Sequence, residues 1–128
     1  MSLKVDVSFG EYLDKLTILE IKSERIQDQD KLVNINAELN VLRDTWKQHP
    51  KSNVDLESEL QQLKAINERL WEIEDDIRDK ERNKTFDQGF IELARKVYFS
   101  NDERARIKRL INEKLGSNLV EEKSYADY

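Results

Sequence analysis

The sequence contains no cysteine, one histidine, one proline and three glycines among its 128 residues. Without cysteine the chain can form neither a disulfide nor a thiolate zinc site, and it has no cysteine nucleophile. A single histidine, His49, excludes clustered-histidine metal sites and a serine–histidine–aspartate triad. Three glycines are too few for a glycine-rich phosphate loop. These absences exclude many common catalytic motifs, so neither a metal nor a cofactor is expected.

Long apolar runs are also missing from the chain. No stretch approaches the roughly 20 apolar residues that a membrane-spanning helix needs. The first residues lack the apolar core of a signal peptide, so we expect no membrane span and a cytoplasmic location. The net charge of -5 and the pI near 5.1 argue against nucleic acid as a partner.

Charged residues make up 38% of the chain, the same fraction as hydrophobic residues. Average globular proteins are about 25% charged and about 45–50% apolar. The apolar residues nevertheless recur at helical spacing, which indicates elongated helices with a thin core. A thin core in a short chain favours further burial between molecules. We therefore expect a homodimer, and a protein partner is the other way to cover apolar surface.

The sequence predicts a single all-α domain over residues 1–128, built as an antiparallel bundle of four or five amphipathic helices. Residues 1–8 include an alternation of apolar and polar side chains and are predicted to form an extended arm. Gly116 is typical of a helix end. The tail that follows, residues 117–128, has no clear period. It is either frayed or a strap that packs its tyrosines over a helix, and we favour the strap.

Three polar patterns predict helix starts. Ser8 and Glu11 fit a capping box, in which the serine side chain accepts a hydrogen bond from the backbone three residues later. Thr85-Phe86-Asp87-Gln88 repeats this pattern. Ser100-Asn101-Asp102-Glu103 either caps a fifth helix or lies in a bend of the fourth.

Two predicted helices carry continuous apolar seams and are joined by a loop at Pro50. The seam before the loop comprises Leu32, Ile35, Leu39, Leu42 and Trp46. The seam after the loop comprises Leu56, Leu60, Leu63, Ile66, Leu70, Ile73 and Ile77. Two such seams on either side of a short loop predict a long antiparallel helical hairpin.

The first predicted helix is apolar on two sides. Leu13 and Leu16 share its main face, whereas Ile18 and Ile21 lie nearly opposite. A helix of this kind is buried on two sides, so we place it at the centre of the protein. Either the other helices surround it or a second subunit covers the spare face, and we favour the second subunit.

Charged side chains that fall on apolar seams form the candidate site, because a buried charge is costly unless it is paired. Helical phase places Glu20 among apolar neighbours, and Glu74 and Arg104 near the seams of later helices. We predict that these three side chains line one polar pocket. The pocket either binds a small anionic or metal-linked ligand, or consists of ion pairs that fix the helix register. The full candidate cluster comprises Glu20, Glu24, Arg43, Glu74, Arg104 and Lys108.

A second acidic pattern supports an enzyme as the alternative function. Four acids at spacings of three and four residues form a stripe along the third predicted helix. This acidic stripe is either a solvated face or a site for a divalent metal, whose preferred ligands include carboxylates. Pairs of acids three residues apart, Glu11 with Asp14 and Glu72 with Asp75, are similar to motifs of all-α nucleotide pyrophosphohydrolases. Asp14 and Glu72, however, are predicted to lie opposite the main seams, so the enzyme is not preferred. The stripe comprises Glu68, Glu72, Asp75 and Asp79.

Three stretches carry a resemblance: residues 7–22 (VSFGEYLDKLTILEIK), residues 70–78 (LWEIEDDIR) and residues 101–125. Together they resemble a bacterial and phage family of small helical proteins that is classed only as a domain of unknown function. The resemblance implies a bacterial or phage origin and an accessory role in cell-surface polysaccharide synthesis. It carries over no catalytic residue. Its C-terminal motif, LVEEKSY, adds the candidate residues Glu121, Glu122, Lys123 and Tyr125.

The sequence alone does not identify a ligand or a reaction. The preferred interpretation is a small helical binding or assembly module that acts as a homodimer. The metal-dependent pyrophosphohydrolase-like enzyme is the alternative.

Overall fold

The structure is a computed structural model that describes all residues from Met1 to Tyr128. It contains no strand, and the predicted all-α fold is confirmed. No helix combines the length and the apolar character needed to cross a membrane. The helices are α1 (Phe9–Arg25), α2 (Gln29–Gln48), α3 (Glu57–Arg82) and α4 (Gln88–Leu115), with a 3-10 turn over Pro50–Asn53.

Side-chain caps fix the helix ends. The Ser8 hydroxyl accepts a hydrogen bond from the backbone N–H of Glu11 at 3.1 Å, as predicted. The Asp28 carboxylate caps α2 in the same way. At the start of α4 the cap is Asp87, which accepts from the N–H of Phe90 at 3.0 Å. The predicted cap, Thr85, is wrong, because the carboxylate two residues later takes that position.

Helix α4 runs unbroken from residue 88 to residue 115. Of the two alternatives for this segment, the fifth helix at Ser100 is therefore wrong, and the four-helix form of the prediction is confirmed. That segment contains no proline or glycine to interrupt the backbone hydrogen bonds, so a capping pattern there does not end the helix. The helix ends where predicted, at Gly116, whose φ of 67° and ψ of 46° place it in the left-handed region that glycine adopts without strain.

The helices form two antiparallel hairpins. In the first, Tyr12 of α1 donates a hydrogen bond to the backbone oxygen of Leu42 in α2 at 2.8 Å, and Phe9 packs edge-on against Trp46. In the second hairpin, α3 and α4, Lys114 lies 3.0 Å from Glu59. The long hairpin is thus α3–α4, and the predicted pairing of α2 with α3 is wrong, since both helices turn their seams towards α1 instead.

Helix α1 lies at the centre and packs against α2, α3 and α4. Its spare apolar face is largely covered within the chain, because Ile21 is only 1% exposed and Ile18 is half-buried. The expected second subunit is not required at that face. The central core comprises Leu13, Leu16, Leu19, Leu39, Leu56, Leu63, Ile66, Ile107, Ile111 and Leu115. Only 20 of the 128 residues are buried, so the core is as thin as the composition indicates.

Candidate functional site

Asp14 is the most deeply buried charged residue of the site, with 2% of its surface exposed. Its two carboxylate oxygens accept from one guanidinium: Arg104 Nε lies 3.0 Å from Oδ1, and Nη2 binds Oδ2. Asn67 donates to Oδ1 from α3 at 2.9 Å. A bidentate arginine–carboxylate pair fixes both groups in one geometry. Asp14 therefore joins α1, α3 and α4 through polar contacts.

The sequence places Asp14 opposite the main seam and outside the candidate cluster, yet the residue is buried at the contact of α1 with α4. Helix α1 has partners on three sides, so a residue off the main seam still lies inside the protein. Thr17 and Asn67 complete the polar surroundings: the Thr17 hydroxyl accepts from Asn67 Nδ2 at 2.9 Å. No buried side-chain polar atom lacks a hydrogen-bond partner.

Lys108 lies one turn beyond Arg104 on α4 and extends the ionic cluster. Its Nζ atom lies 2.8 Å from Glu11 and 2.9 Å from Glu121, and 3.9 Å from Asp14. Burial by itself would lower the pKa of Lys108, but these hydrogen bonds and carboxylates raise it above its ordinary value. The hydrogen bond from Lys108 lowers the pKa of Glu121. Lys108 thus holds α1, α4 and the C-terminal tail together.

Helices α1 and α4 approach closely at Gly10. The Gly10 N–H donates to Asn112 Oδ1 at 2.7 Å. A β-carbon added at Gly10 would lie 2.5 Å from the backbone oxygen of Lys108. This distance is shorter than a non-bonded contact between a carbon and an oxygen atom allows. Only glycine permits this helix–helix distance, and the distance places Glu11 and Asp14 within reach of α4.

A groove of about 380 Å³ lies beside the Asp14–Arg104 pair, between α1, α3 and α4. The hydrogen bond to Asp14 raises the pKa of Arg104, although burial opposes the shift. The side chain of Arg104 is 28% exposed, so part of a permanently charged, fixed guanidinium faces the groove. The lining residues are Ile18, Ile21, Asn67, Leu70, Trp71, Glu74, Asp75, Asn101 and Arg104.

The groove has an apolar wall and a polar rim. Trp71 and Leu70 of α3 face Ile18 and Ile21 of α1 across it. The rim carries two carboxylates, two amides and the guanidinium, all planar groups that form hydrogen bonds in pairs. Glu74 pairs with Arg78 on its own helix at 3.2 Å. This combination accommodates a small ligand that is apolar on one face and rich in hydrogen-bonding groups on its edge.

The predicted cluster is divided between two places. Glu74 and Arg104 line the groove together. Glu20 lies elsewhere on α1, 4.0 Å from Arg43 and 3.9 Å from Lys64. Glu24 binds the same lysine at 2.6 Å and contributes most to raising the pKa of Lys64. Glu20, Glu24 and Arg43 thus form a separate ion-pair network around a lysine that the helical phases did not single out.

The C-terminal motif lies along α4. Glu121 binds Lys108, and Glu122 lies 2.8 Å from Arg109. Lys123 lies 3.9 Å from Asp102. Tyr125 is 82% exposed, whereas Tyr128 packs its ring edge-on against Phe99 with 4.7 Å between the ring centroids. Residues 117–128 therefore form a strap, held mainly by ion pairs and by the last tyrosine.

The acidic stripe of α3 forms no metal site. Arg25 of α1 lies between two of its members, 3.3 Å from Glu68 and 3.4 Å from Glu72. Asp79 pairs with Arg82 on the same helix. No group of three or more aspartate, glutamate, histidine or cysteine side chains has the arrangement to hold a metal ion.

The three stretches that carry the sequence resemblance meet at this site. They contribute Asp14, Trp71, Glu74, Arg104 and Lys108 to one region of the molecule. No curated protein and no solved structure matches the chain. Residues 3–128 match DUF6165, a family of unknown function, and the chain belongs to that family.

Proposed function

We propose that this protein is a small helical binding module that takes a saccharide in the groove beside Arg104, and that it has an accessory role in cell-surface polysaccharide synthesis. The observation that supports the proposal is the guanidinium of Arg104, which Asp14 fixes from behind while part of it remains exposed to the groove. A donor held in this way loses little conformational entropy when a ligand binds. The link to polysaccharides rests on the sequence resemblance.

The chemistry of the groove supports a sugar as its ligand. A pyranose ring is apolar on its C–H face, and an indole such as that of Trp71 offers a flat apolar surface with a polar N–H at its edge. The hydroxyl groups of a sugar need paired donors and acceptors, which Glu74, Asp75, Asn101 and Arg104 provide. The groove volume of about 380 Å³ falls within the range of small-molecule sites.

Tryptophan fluorescence tests this proposal. The chain has two tryptophans, so Trp46→Phe leaves Trp71 as the only reporter, and Trp71→Phe leaves only Trp46. The probes are galactose, rhamnose, N-acetylglucosamine and glucuronic acid at millimolar concentrations. We expect at least one sugar to change the fluorescence of the Trp46→Phe protein saturably and that of the Trp71→Phe protein not at all. The absence of any response from Trp71 would overturn the proposal.

Thermal unfolding of the same two proteins tests the enzyme alternative. Nucleoside triphosphates with Mg²⁺ or Mn²⁺ are added to both single-tryptophan proteins, and the melting temperature is measured with each component alone and together. The proposal predicts no stabilisation in any of these conditions. Stabilisation only when metal and nucleotide are both present would favour the hydrolase over the saccharide-binding module.

The proposed module acts as a homodimer through α2. This helix packs on α1 with one face, and its opposite face carries Val33 and Val41, which are 69% and 62% exposed. Ala37 lies between them and is also exposed. An exposed apolar stripe at four-residue spacing fits the same stripe on a second copy, antiparallel and related by a twofold axis. The thin core supports a dimer, because a second copy adds burial.

A further inference from the structure

A second cavity, of about 860 Å³, lies between the tail (residues 117–128) and α4. Asn101 is the only residue that lines both this cavity and the groove beside Arg104, and the other lining residues differ between the two. Its walls combine three tyrosine rings with three carboxylates. These residues are Tyr98, Tyr125, Tyr128, Asp102, Glu121 and Asp127.

Tyr128 lies in the wall of this tyrosine cavity. Its ring centroid lies 5.4 Å from that of Tyr98, and its hydroxyl donates a hydrogen bond to Asp102. This hydrogen bond raises the pKa of Tyr128 to about 12, so the ring stays neutral at physiological pH. Two tyrosine rings and a carboxylate thus stand together at one place in the cavity.

A cation of the chain already lies in the cavity. Lys123 Nζ lies 5.8 Å from the centroid of the Tyr125 ring, over its face, and 3.9 Å from Asp102 Oδ1. An ammonium group beside a tyrosine face and a carboxylate makes both a cation–π contact and an ion pair. The position of Lys123 shows which kind of group the cavity accepts.

The charges in the cavity are not balanced. Glu121 is bound to Lys108, outside the cavity wall. Lys123 is the one cation in the cavity wall and pairs with Asp102, so the charge of Asp127 remains unbalanced. A further cation would find an aromatic and acidic environment, in which cation–π attraction contributes about 0.5–2 kcal/mol.

We propose that the tyrosine cavity is a binding site for a small organic ammonium ion, which competes with the side chain of Lys123 for Asp102 and the tyrosine faces. The cavity volume of about 860 Å³ is that of a small-molecule site. The ligand class follows from the tyrosine rings, the carboxylates and the ammonium group already present. The proposal does not depend on the saccharide groove.

Ligand-observed NMR with butylammonium chloride tests the proposal, and butanol at the same ionic strength is the neutral analogue. We expect saturable upfield shifts of the butylammonium resonances, caused by the tyrosine rings, and none for butanol. Asp102→Asn and Tyr98→Leu should each weaken butylammonium binding about tenfold, which corresponds to about 1.4 kcal/mol. Asp44→Asn, an exposed aspartate on α2, is the matched control and should leave binding unchanged.

Lys123→Gln separates ligand binding from a structural role of the tail. If Lys123 occupies the cation position, its removal should strengthen butylammonium binding about threefold or more, whereas loss of tail structure would weaken it. Trp71→Phe should have no effect, because Trp71 lies in the other groove. Equal binding of butanol, weaker binding by the Lys123→Gln protein, or loss of binding in the Trp71→Phe protein would each overturn the proposal.

Discussion

Arg104, on the last helix, binds both carboxylate oxygens of Asp14, on the first helix, across 90 residues of sequence. The carboxylate is buried, while the arginine side chain is 28% exposed and lines the groove. One contact therefore fixes the packing of α1 on α4 and orients a donor for a ligand.

Asp14→Ala should lower the free energy of unfolding by about 3 kcal/mol, because it leaves Arg104 without its carboxylate in a largely buried position. Urea denaturation followed by circular dichroism measures the change. Asp44→Ala, at an exposed position, is the control and should cost less than about 0.5 kcal/mol. A similar, small loss for both variants would mean that the pair adds nothing to stability.

Gly10→Ala should destabilise the protein by about 2 kcal/mol, because the new methyl group collides with the backbone of Lys108 and forces α1 and α4 apart. Gly89→Ala is the matched control. There the added carbon would meet side-chain atoms and no backbone, with Lys80 Nζ at 3.1 Å and Asp87 Oδ1 at 3.3 Å, and alanine favours the helix. We expect no loss of stability at Gly89. Thermal unfolding compares the two, and equal melting temperatures would contradict the close packing at Gly10.

The docking of the tail should depend on pH through Glu121 and Lys108. The pKa of Glu121 is lowered from 4.5, so its contribution is complete above that value and is lost as the pH falls through the lowered pKa. The pKa of Lys108 is raised from 10.5, so its contribution is lost only in strong base. At neutral pH both groups hold the tail.

NMR of the Tyr128 ring follows this release, because Tyr98 and Phe99 shift its resonances in the docked tail. Between about pH 7 and about pH 3 the resonances should move to the values of an exposed tyrosine. Glu121→Gln should weaken docking already at neutral pH and reduce the acid transition. Unchanged Tyr128 resonances over the whole range would show that the Glu121–Lys108 contact does not hold the tail.

Val41→Glu should dissociate the proposed homodimer, since it places a charge on each copy within the apolar stripe of α2. Light scattering coupled to size exclusion measures the mass. The wild-type protein should have a mass near twice 15.2 kDa, and the variant should have a mass near 15.2 kDa. Val120→Glu, a change at an exposed valine of the tail, is the control and should remain dimeric. A monomeric wild-type protein at high micromolar concentration would contradict the dimer.

The sequence was sufficient to predict the helices, since apolar residues at helical spacing and side-chain caps act locally. The long hairpin was assigned to the wrong helices, because a seam such as Leu32–Trp46 shows which face is buried but not which helix covers it. The apolar faces of α2 and α3 meet α1 rather than each other. The central position of α1 was nevertheless predictable from its two apolar sides.

The site was only partly predictable, for a related reason. The apolar seams identify Glu74 and Arg104, but they place Asp14 opposite the main seam of α1 and therefore outside the candidate cluster. Off-seam residues are exposed only on a helix that packs on one side, and α1 packs on three. The E-x-x-D pair Glu11 and Asp14 was noticed as a metal motif, yet its partners are Lys108 and Arg104.

The account depends most on Arg104 as a donor to the ligand in the groove. Arg104→Lys keeps a positive charge near Asp14 but loses the planar, paired donors. Isothermal titration calorimetry, with the sugar that changes Trp71 fluorescence most, should give an affinity about tenfold lower than that of the wild-type protein. Arg106→Lys, at a surface ion pair with Glu103, should bind like the wild type. Equal affinities for the wild-type and Arg104→Lys proteins would contradict the account.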